Sequence, residues 1–293
     1  MIEVFAPAKV NLTLHVTGQR EDGYHLLDSL VVFPRIGDTL VFEAARETTL
    51  NIESAGQDLP AGEDNLVMRA ARLFLPNTPC AITLKKTLPV AAGIGGGSAD
   101  AAAVFRAATV LEPGVPLSAA QVTALGADVP VCLASLPQRM GGIGDLIAPV
   151  EIWPEEGVLV LVNPGVPVST PSVFRRLTQK SNPPMPGILP SFSTLDTLAG
   201  FVSECRNDLE APAISEAPVI AEVLERLRSD PDCLVARMSG SGATCFGLYR
   251  DAYAAATMTD RLKAEKPEWW AASGPFVTAR DIVPKGQLIR DTT

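Results

Sequence analysis

Apolar and polar residues alternate after Pro7, with Val10, Leu12, Leu14 and Val16 on one side and Lys9, Asn11, Thr13 and His15 on the other. A period of two with one polar face predicts a half-buried strand. Further strands are predicted over 26–33, 38–44, 49–53 and 80–86. Between the last two the period lengthens. Leu66, Val67, Ala70, Leu73 and Phe74 form the stripe of an amphipathic helix, with Asn65 placed to cap it. The alanine-rich run over 99–111 predicts a buried helix, and Ser118 caps another that ends near Gly126. Pro130 suits the first turn of a short helix after Asp128.

Near residue 150 the pattern changes. A continuous apolar strand over 158–162 runs into a Gly/Pro-rich connection. Thr170 as N-cap and Pro171 at the first helical position then announce a helix to about 178. Residues 181–190 hold four prolines and read as a surface loop. The remainder reads as helices over 194–204, 217–228 and 251–265 and strands over 233–238, 244–249 and 276–282. This organisation predicts two units, 1–155 and 156–293.

Composition narrows the function classes. With 293 residues, 47% apolar and 19% charged, the chain can bury the core of a globular enzyme. A formal charge of −9 opposes a sequence-independent grip on nucleic acid. Low-charge stretches are broken by Gly, Pro, Ser and Asp, and the N-terminus has no basic leader, so no membrane span is expected and a cytoplasmic location is. Five cysteines without a C-x-x-C spacing predict free, buried thiols, and two histidines leave no material for a His-rich metal centre.

The segment from Leu88 to Ala99 carries candidate chemistry: Pro89, Val90, Ala91, Ala92, Gly93, Ile94, Gly95, Gly96, Gly97 and Ser98 lie between a predicted strand and a predicted helix. Glycines there allow positive φ and close approach of backbone to a ligand, and the helix start offers free N–H groups and a positive dipole end. Strand, glycine loop and helix describe a phosphate cradle. It is not a P-loop, because no Gly-Lys-Ser/Thr follows, nor a dinucleotide fingerprint, because Ser98 holds the third glycine's position. A plain tight turn is the competing reading.

Four dispersed segments, Pro7–Leu12, the loop over 89–99, Gly126–Pro130 and Ser239–Ala243, together resemble the ordered motifs of the galactokinase, homoserine kinase and mevalonate kinase superfamily (the GHMP kinases). Gly18–His25 and Thr170–Phe174 resemble the diphosphocytidyl-methylerythritol kinase branch. The resemblance spans essentially the whole chain in order. It implies an α+β, two-domain GHMP-kinase-like fold, with an N-terminal domain like domain 2 of ribosomal protein S5, a ferredoxin-like C-terminal domain and the site between them. It also implies transfer of the γ-phosphoryl group of ATP, with Mg²⁺, to the 2-hydroxyl of 4-diphosphocytidyl-2-C-methyl-D-erythritol, a step of the non-mevalonate route to isopentenyl diphosphate.

By the same resemblance Asp128 is the catalytic aspartate and Lys9 the lysine beside it. Asn11, Tyr24, His25, Thr170 and Phe174 belong to the substrate site, and the loop Ser239, Gly240, Ser241, Gly242 closes over the reacting groups. Read without it, Lys9 is a solvated strand residue, Asp128 a helix cap, Tyr24 and His25 turn residues, Phe174 a core residue and 239–243 a hairpin turn. One departure stands out, Gly141-Gly142-Ile143-Gly144-Asp145, where Asp145 takes the place of the family's glutamate. Three other readings compete: a mevalonate- or homoserine-kinase-like enzyme, a nucleotide-dependent dehydrogenase, and a non-enzymatic S5-like nucleic-acid module. Tyr24, His25 and Phe174 oppose the first, the missing third glycine the second, and the charge of −9 the third.

Overall fold

The computed structural model describes residues 1–54, 59–115 and 118–287. The chain opens with β1 (Ile2–Pro7), β2 (Val10–Asn11), β3 (His15–Gln19), β4 (His25–Val32), β5 (Gly37–Ala44) and β6 (Thr49–Ser54). Helix α1 (Leu66–Phe74) leads to β7 (Cys80–Lys86), followed by α2 (Gly96–Leu111), α3 (Ala119–Leu125) and α4 (Val129–Ala134). A hairpin of β8 (Gln138–Gly142) and β9 (Leu146–Pro149) precedes β10 (Val158–Asn163). Then come α5 (Thr170–Arg176), α6 (Leu195–Glu204), α7 (Glu210–Glu216), α8 (Val219–Arg228), β11 (Cys233–Met238), β12 (Cys245–Tyr249), α9 (Ala252–Glu265), β13 (Trp270–Pro275) and β14 (Lys285–Gly286).

The first sheet has the order β14-β1-β5-β7-β6, antiparallel except for the β6–β7 pair. Helices α1, α2 and α4 share its core. Alanines 99, 101–103 and 107 of α2 are fully buried, so the helix backbone approaches the sheet closely and its N-terminus is held rigidly. A second sheet runs β2-β4-β8-β9, with β3 also paired to β4. The third, β11-β12-β10-β13, is antiparallel throughout. Numbered within their own unit, its strands lie in the order 2-3-1-4 with helices between, which is the ferredoxin-like arrangement. Both faces of β10 are buried: Val158, Val160 and Val162 against one cluster, Leu159 and Leu161 against another. That explains why this strand is apolar without alternation.

Several expectations need correction. The strand over Val10–Val16 is interrupted at Leu12–Leu14, and its polar face is not solvated: Lys9, Asn11, Thr13 and His15 are all buried. Residues 183–185 and the 239–240 turn cover it, through hydrogen bonds from Thr13 Oγ1 to Met185 Sδ and from Asn11 N to Ser239 Oγ. The 181–190 segment is therefore more than a surface loop, since Met185 is buried and its N–H bonds Asp28. The α5 N-cap is Ser169 rather than Thr170, because its hydroxyl accepts from Ser172 N. The helix expected over 217–228 begins at Val219, after Pro218, and a separate α7 precedes it. The strand expected over 276–282 lies earlier, at Trp270–Pro275; Asp281 accepts from Thr278 N and Oγ1 and turns the chain there instead. Strands β1, β8, β9 and β14 were not foreseen.

Other expectations hold. Asn65 caps α1, Ser118 caps α3 in a reciprocal capping box with Gln121, and β7 spans the expected residues. All five cysteines are free, with Cys80, Cys132 and Cys245 buried and Cys205 and Cys233 half-buried. Among the described residues no helix is long and apolar enough to cross a membrane.

Candidate active site

One cleft of about 650 Å³ collects most of the predicted residues. Its volume is in the range of small-molecule sites. The glycine loop forms one wall. Helix α2 starts at Gly96, three residues before its expected start at 99, so the last glycines are the helix's first turn. Its first internal bond is Ala99 N–H to Gly95 O at 2.8 Å, which leaves the N–H groups of Gly96, Gly97 and Ser98 without helical partners. Gly95 takes φ +62°, and a Cβ there would lie 3.1 Å from Lys9 Cβ. Gly93 takes φ +73°, and its Cβ would collide with the Gly242 carbonyl oxygen. Ala91 also takes positive φ (52°), a conformation that costs a non-glycine residue about 1–2 kcal/mol.

The loop is bound to its neighbours by backbone. Lys9 N–H donates to Ile94 O at 2.9 Å, and Thr244 Oγ1 donates to Ala92 O at 2.6 Å. One bond reaches the N-terminal strands and the other the ferredoxin-like sheet, so the loop joins both units. The Ser239–Ala243 turn is held in its place by Asn207, whose Nδ2 donates to Met238 O and Gly240 O. Ser241 Oγ and Thr170 Oγ1 hydrogen-bond at 2.7 Å across the cleft mouth.

Lys9 Nζ donates to Asp128 Oδ1 at 2.8 Å. The lysine side chain is 6% exposed and the aspartate 38%. Asp128 occupies the N-cap position of α4 but makes no capping hydrogen bond, which removes the capping reading. Its carboxylate instead faces the cleft beside the ammonium. Asn11 lines the same cleft; its Nδ2 donates to Ser29 Oγ at 2.7 Å, while its Oδ1 is buried without a partner. This is a carboxylate able to accept a hydroxyl proton, a fixed cation next to it and an unused acceptor.

His25 and Phe174 stack with ring centroids 4.6 Å apart and planes at 22°. Phe174 is half-buried and lines the cleft, whereas its neighbour Val173 is the core residue of α5. His25 Nε2 is buried without a partner. Burial, and then the charge of Lys180, hold its imidazole below the ordinary histidine range, which keeps the ring neutral for stacking. Tyr24 is not brought in: its side chain is 60% exposed beside the β3–β4 turn. Ile94, Ala99, Ser239 and Gly242 support the walls without lining them. Asp145 lies in the β8–β9 turn, where its Oδ1 accepts Ile143 N–H.

The cleft continues past the loop into an apolar lobe with Ile52, Leu59, Pro60, Asn65, Leu66 and Leu84, and Lys86 and Asp100 sit at its floor. Sequence reasoning missed these residues. A signal existed for one: Asp100 is the lone acid in an alanine-rich buried helix. Among the described residues no three acidic, His or Cys side chains gather as a metal site.

Residues 65–150 match the GHMP kinases N terminal domain and residues 191–268 the GHMP kinases C terminal family. A 4-diphosphocytidyl-2-C-methyl-D-erythritol kinase of Ruegeria pomeroyi is 54% identical over 277 residues, covering 93% of this chain and 98% of its own. One from Cereibacter sphaeroides is 52% identical over 271 residues, covering 92% and 97%. A crystal structure of 4-(cytidine 5'-diphospho)-2C-methyl-D-erythritol kinase superposes with a TM-score of 0.77 at 33% identity, over 94% of this chain and 99% of that one.

Proposed function

Because this chain belongs to the GHMP kinases, on the 4-diphosphocytidyl-2-C-methyl-D-erythritol kinase branch, we propose that its cleft transfers the γ-phosphoryl group of ATP to the 2-hydroxyl of that cytidine-diphospho sugar alcohol. The observation that carries the site assignment is the Lys9–Asp128 pair opening onto the same cleft as the first turn of α2. Phosphoryl transfer asks a protein mainly for positioning and charge stabilisation. Asp128 receives or orients the hydroxyl proton, and Lys9 stabilises charge on the attacking oxygen and the moving phosphoryl group. The free N–H groups of Gly96, Gly97 and Ser98 hold the phosphates of ATP at the positive end of α2. The apolar lobe beyond the loop takes the adenine.

At the other end, cytosine stacks on Phe174 with His25 as its polar partner, while Asn11 offers its acceptor to the substrate beside Lys9 and Tyr24 stays outside on the exposed β3–β4 turn. Thr170 and Ser241 close the mouth over the reacting groups. A magnesium ion would be held by the nucleotide's phosphates and water with at most one or two carboxylates, and would supply charge neutralisation there. In this reading the N-terminal unit ends at 155 and the C-terminal unit covers 156–293; the absence of helix or strand between Pro149 and Val158 supports that division. Free cysteines and the need for ATP support a cytoplasmic location.

The test is ADP formation with ATP and the cytidine-diphospho substrate, with mevalonate and homoserine as controls. Turnover only with the cytidine substrate is expected. Equal or faster turnover with either control, or none with the cytidine substrate, refutes the reading.

A further inference from the structure

A buried ion cluster lies outside the groups assigned to the chemical step and grips both ends of the glycine loop. Asp38, on β5, is fully buried. Its Oδ1 accepts the backbone N–H groups of Thr87 (2.6 Å) and Leu88 (2.9 Å), where β7 passes into the loop. Its Oδ2 accepts from Lys86 Nζ at 2.5 Å, and the same ammonium donates to Asp100 Oδ2 at 2.8 Å. Asp100 stands one turn inside α2, on the far side of the loop. A Cβ on Gly96 would lie 3.2 Å from Lys86 Nζ, so the ammonium sits directly beneath the first turn of the helix.

Stability alone is a poor reason for this arrangement. Lys86, Asp38 and Asp100 side chains are 7%, 0% and 3% exposed, and two carboxylates share one ammonium. Asp100 Oδ1 meets no donor group, and the Asp38 carboxyl lies close enough to act on it. Buried ion clusters are often no more stabilising than well-packed apolar residues of the same volume. What this one fixes is the distance between residues 87–88 and the start of α2.

We propose that Asp38 is a positioning residue for the nucleotide: through Lys86 and Asp100 it sets the opening of the glycine loop and the aim of its N–H groups at the phosphates. The inference rests on the reading of the loop as the ATP-phosphate site. Asp38 touches no substrate, so its effect is indirect.

Asp38→Asn tests it. The amide oxygen can keep the Thr87 and Leu88 bonds, but the amide NH₂ then faces the Lys86 ammonium, donor against donor, and the grip on α2 is lost. Misplacement by an ångström costs on the order of 100-fold in positioning effects. We expect ATP affinity in calorimetry to fall roughly 10–100-fold while affinity for the cytidine substrate stays within about threefold. Val104→Ala, in the buried core of α2 and away from the cleft, supplies a variant that is destabilised without this effect. If Asp38→Asn does not fold, Asp100→Asn weakens the downstream hold from a charged to a neutral acceptor and should show a smaller fall of the same sign.

A folded Asp38→Asn protein that binds ATP as the unaltered chain does overturns the proposal, as does equal loss of both ligands. Unchanged ATP affinity in Asp100→Asn, should that variant have to stand in, does the same. The reaction assignment fails separately: no turnover in the unaltered chain, with ATP affinity still dependent on Asp38, sinks the reaction and keeps the positioning role. A chain that binds no ATP sinks both.

Discussion

In an Asp128→Asn variant the amide oxygen can still accept the Lys9 Nζ bond, now 2.8 Å long, but the negative charge and the proton affinity are gone. The stability cost should be small. Lys9 is 6% exposed and Asp128 38%, and Asn keeps an acceptor on the buried ammonium, so the cost is that of weakening one charge-assisted bond, about 1 kcal/mol. For a chain of this size that corresponds to at most about 2–4 °C in Tm. No capping bond is lost, since Asp128 makes none to α4. The chemical cost should be far larger: general-base and positioning roles are worth about 10²–10⁴ in rate, or roughly 3–5 kcal/mol of barrier. The check is three measurements on one protein: ADP formation at saturating substrates, Tm, and calorimetric affinity for each substrate. Turnover should collapse while Tm and both affinities barely move. Lys9→Ala should also slow turnover, and the double variant should lose less than the product of the two, because the residues act as one unit. A folded Asp128→Asn protein that keeps most of its turnover refutes the argument.

Gly95→Val should weaken ATP binding while the fold survives, because a side chain at φ +62° would press on Lys9 and crowd the phosphates; unchanged ATP affinity in calorimetry counts against the cradle. Phe174→Ala should weaken the cytidine substrate by about 1–3 kcal/mol and leave ATP alone, the worth of one base–aromatic stack. A large drop in Tm with normal cytidine affinity would instead make Phe174 a core residue. Asp100 is pushed up to about 7, chiefly by burial, with Lys86 opposing and Asp38 reinforcing the shift. A carboxylate raised in the folded state contributes stability that is full below its unfolded value near pH 4 and lost as pH rises through about 7. Between pH 8 and pH 5.5 the unaltered chain should therefore gain Tm relative to Asp100→Asn, and parallel profiles would refute the shift.

Local rules in the sequence determined much of this protein. Asn65 and Ser118 announce helix starts because a cap needs only residues within one turn, and β7 and β10 follow from short apolar runs. The glycine loop is legible for the same reason: positive φ at Gly93 and Gly95 is a property of residue type before it is a property of the fold. The motifs of the site could be named in the chain, but nothing local joins Lys9 to a carboxylate 119 residues away. Folding made that contact, and it decided that Asp128 faces a cleft and leaves its cap unmade.

Tertiary structure alone decided the rest. The polar face over Lys9–His15 looks solvated by its alternation, yet it is buried because Met185 and Ser239 come back across it. Phe174 and Val173 are neighbours of similar apolar character, and only the packing of α5 sends one to the core and the other to the cleft. Asp100 stands out in the chain as the lone acid of its helix, but its pairing with Lys86 and Asp38 does not, since Lys86 lies 48 residues from one and 14 from the other. Short-range preferences are written residue by residue. Burial and pairing of charges depend on which distant segment arrives opposite, and that is settled only when the whole chain has folded.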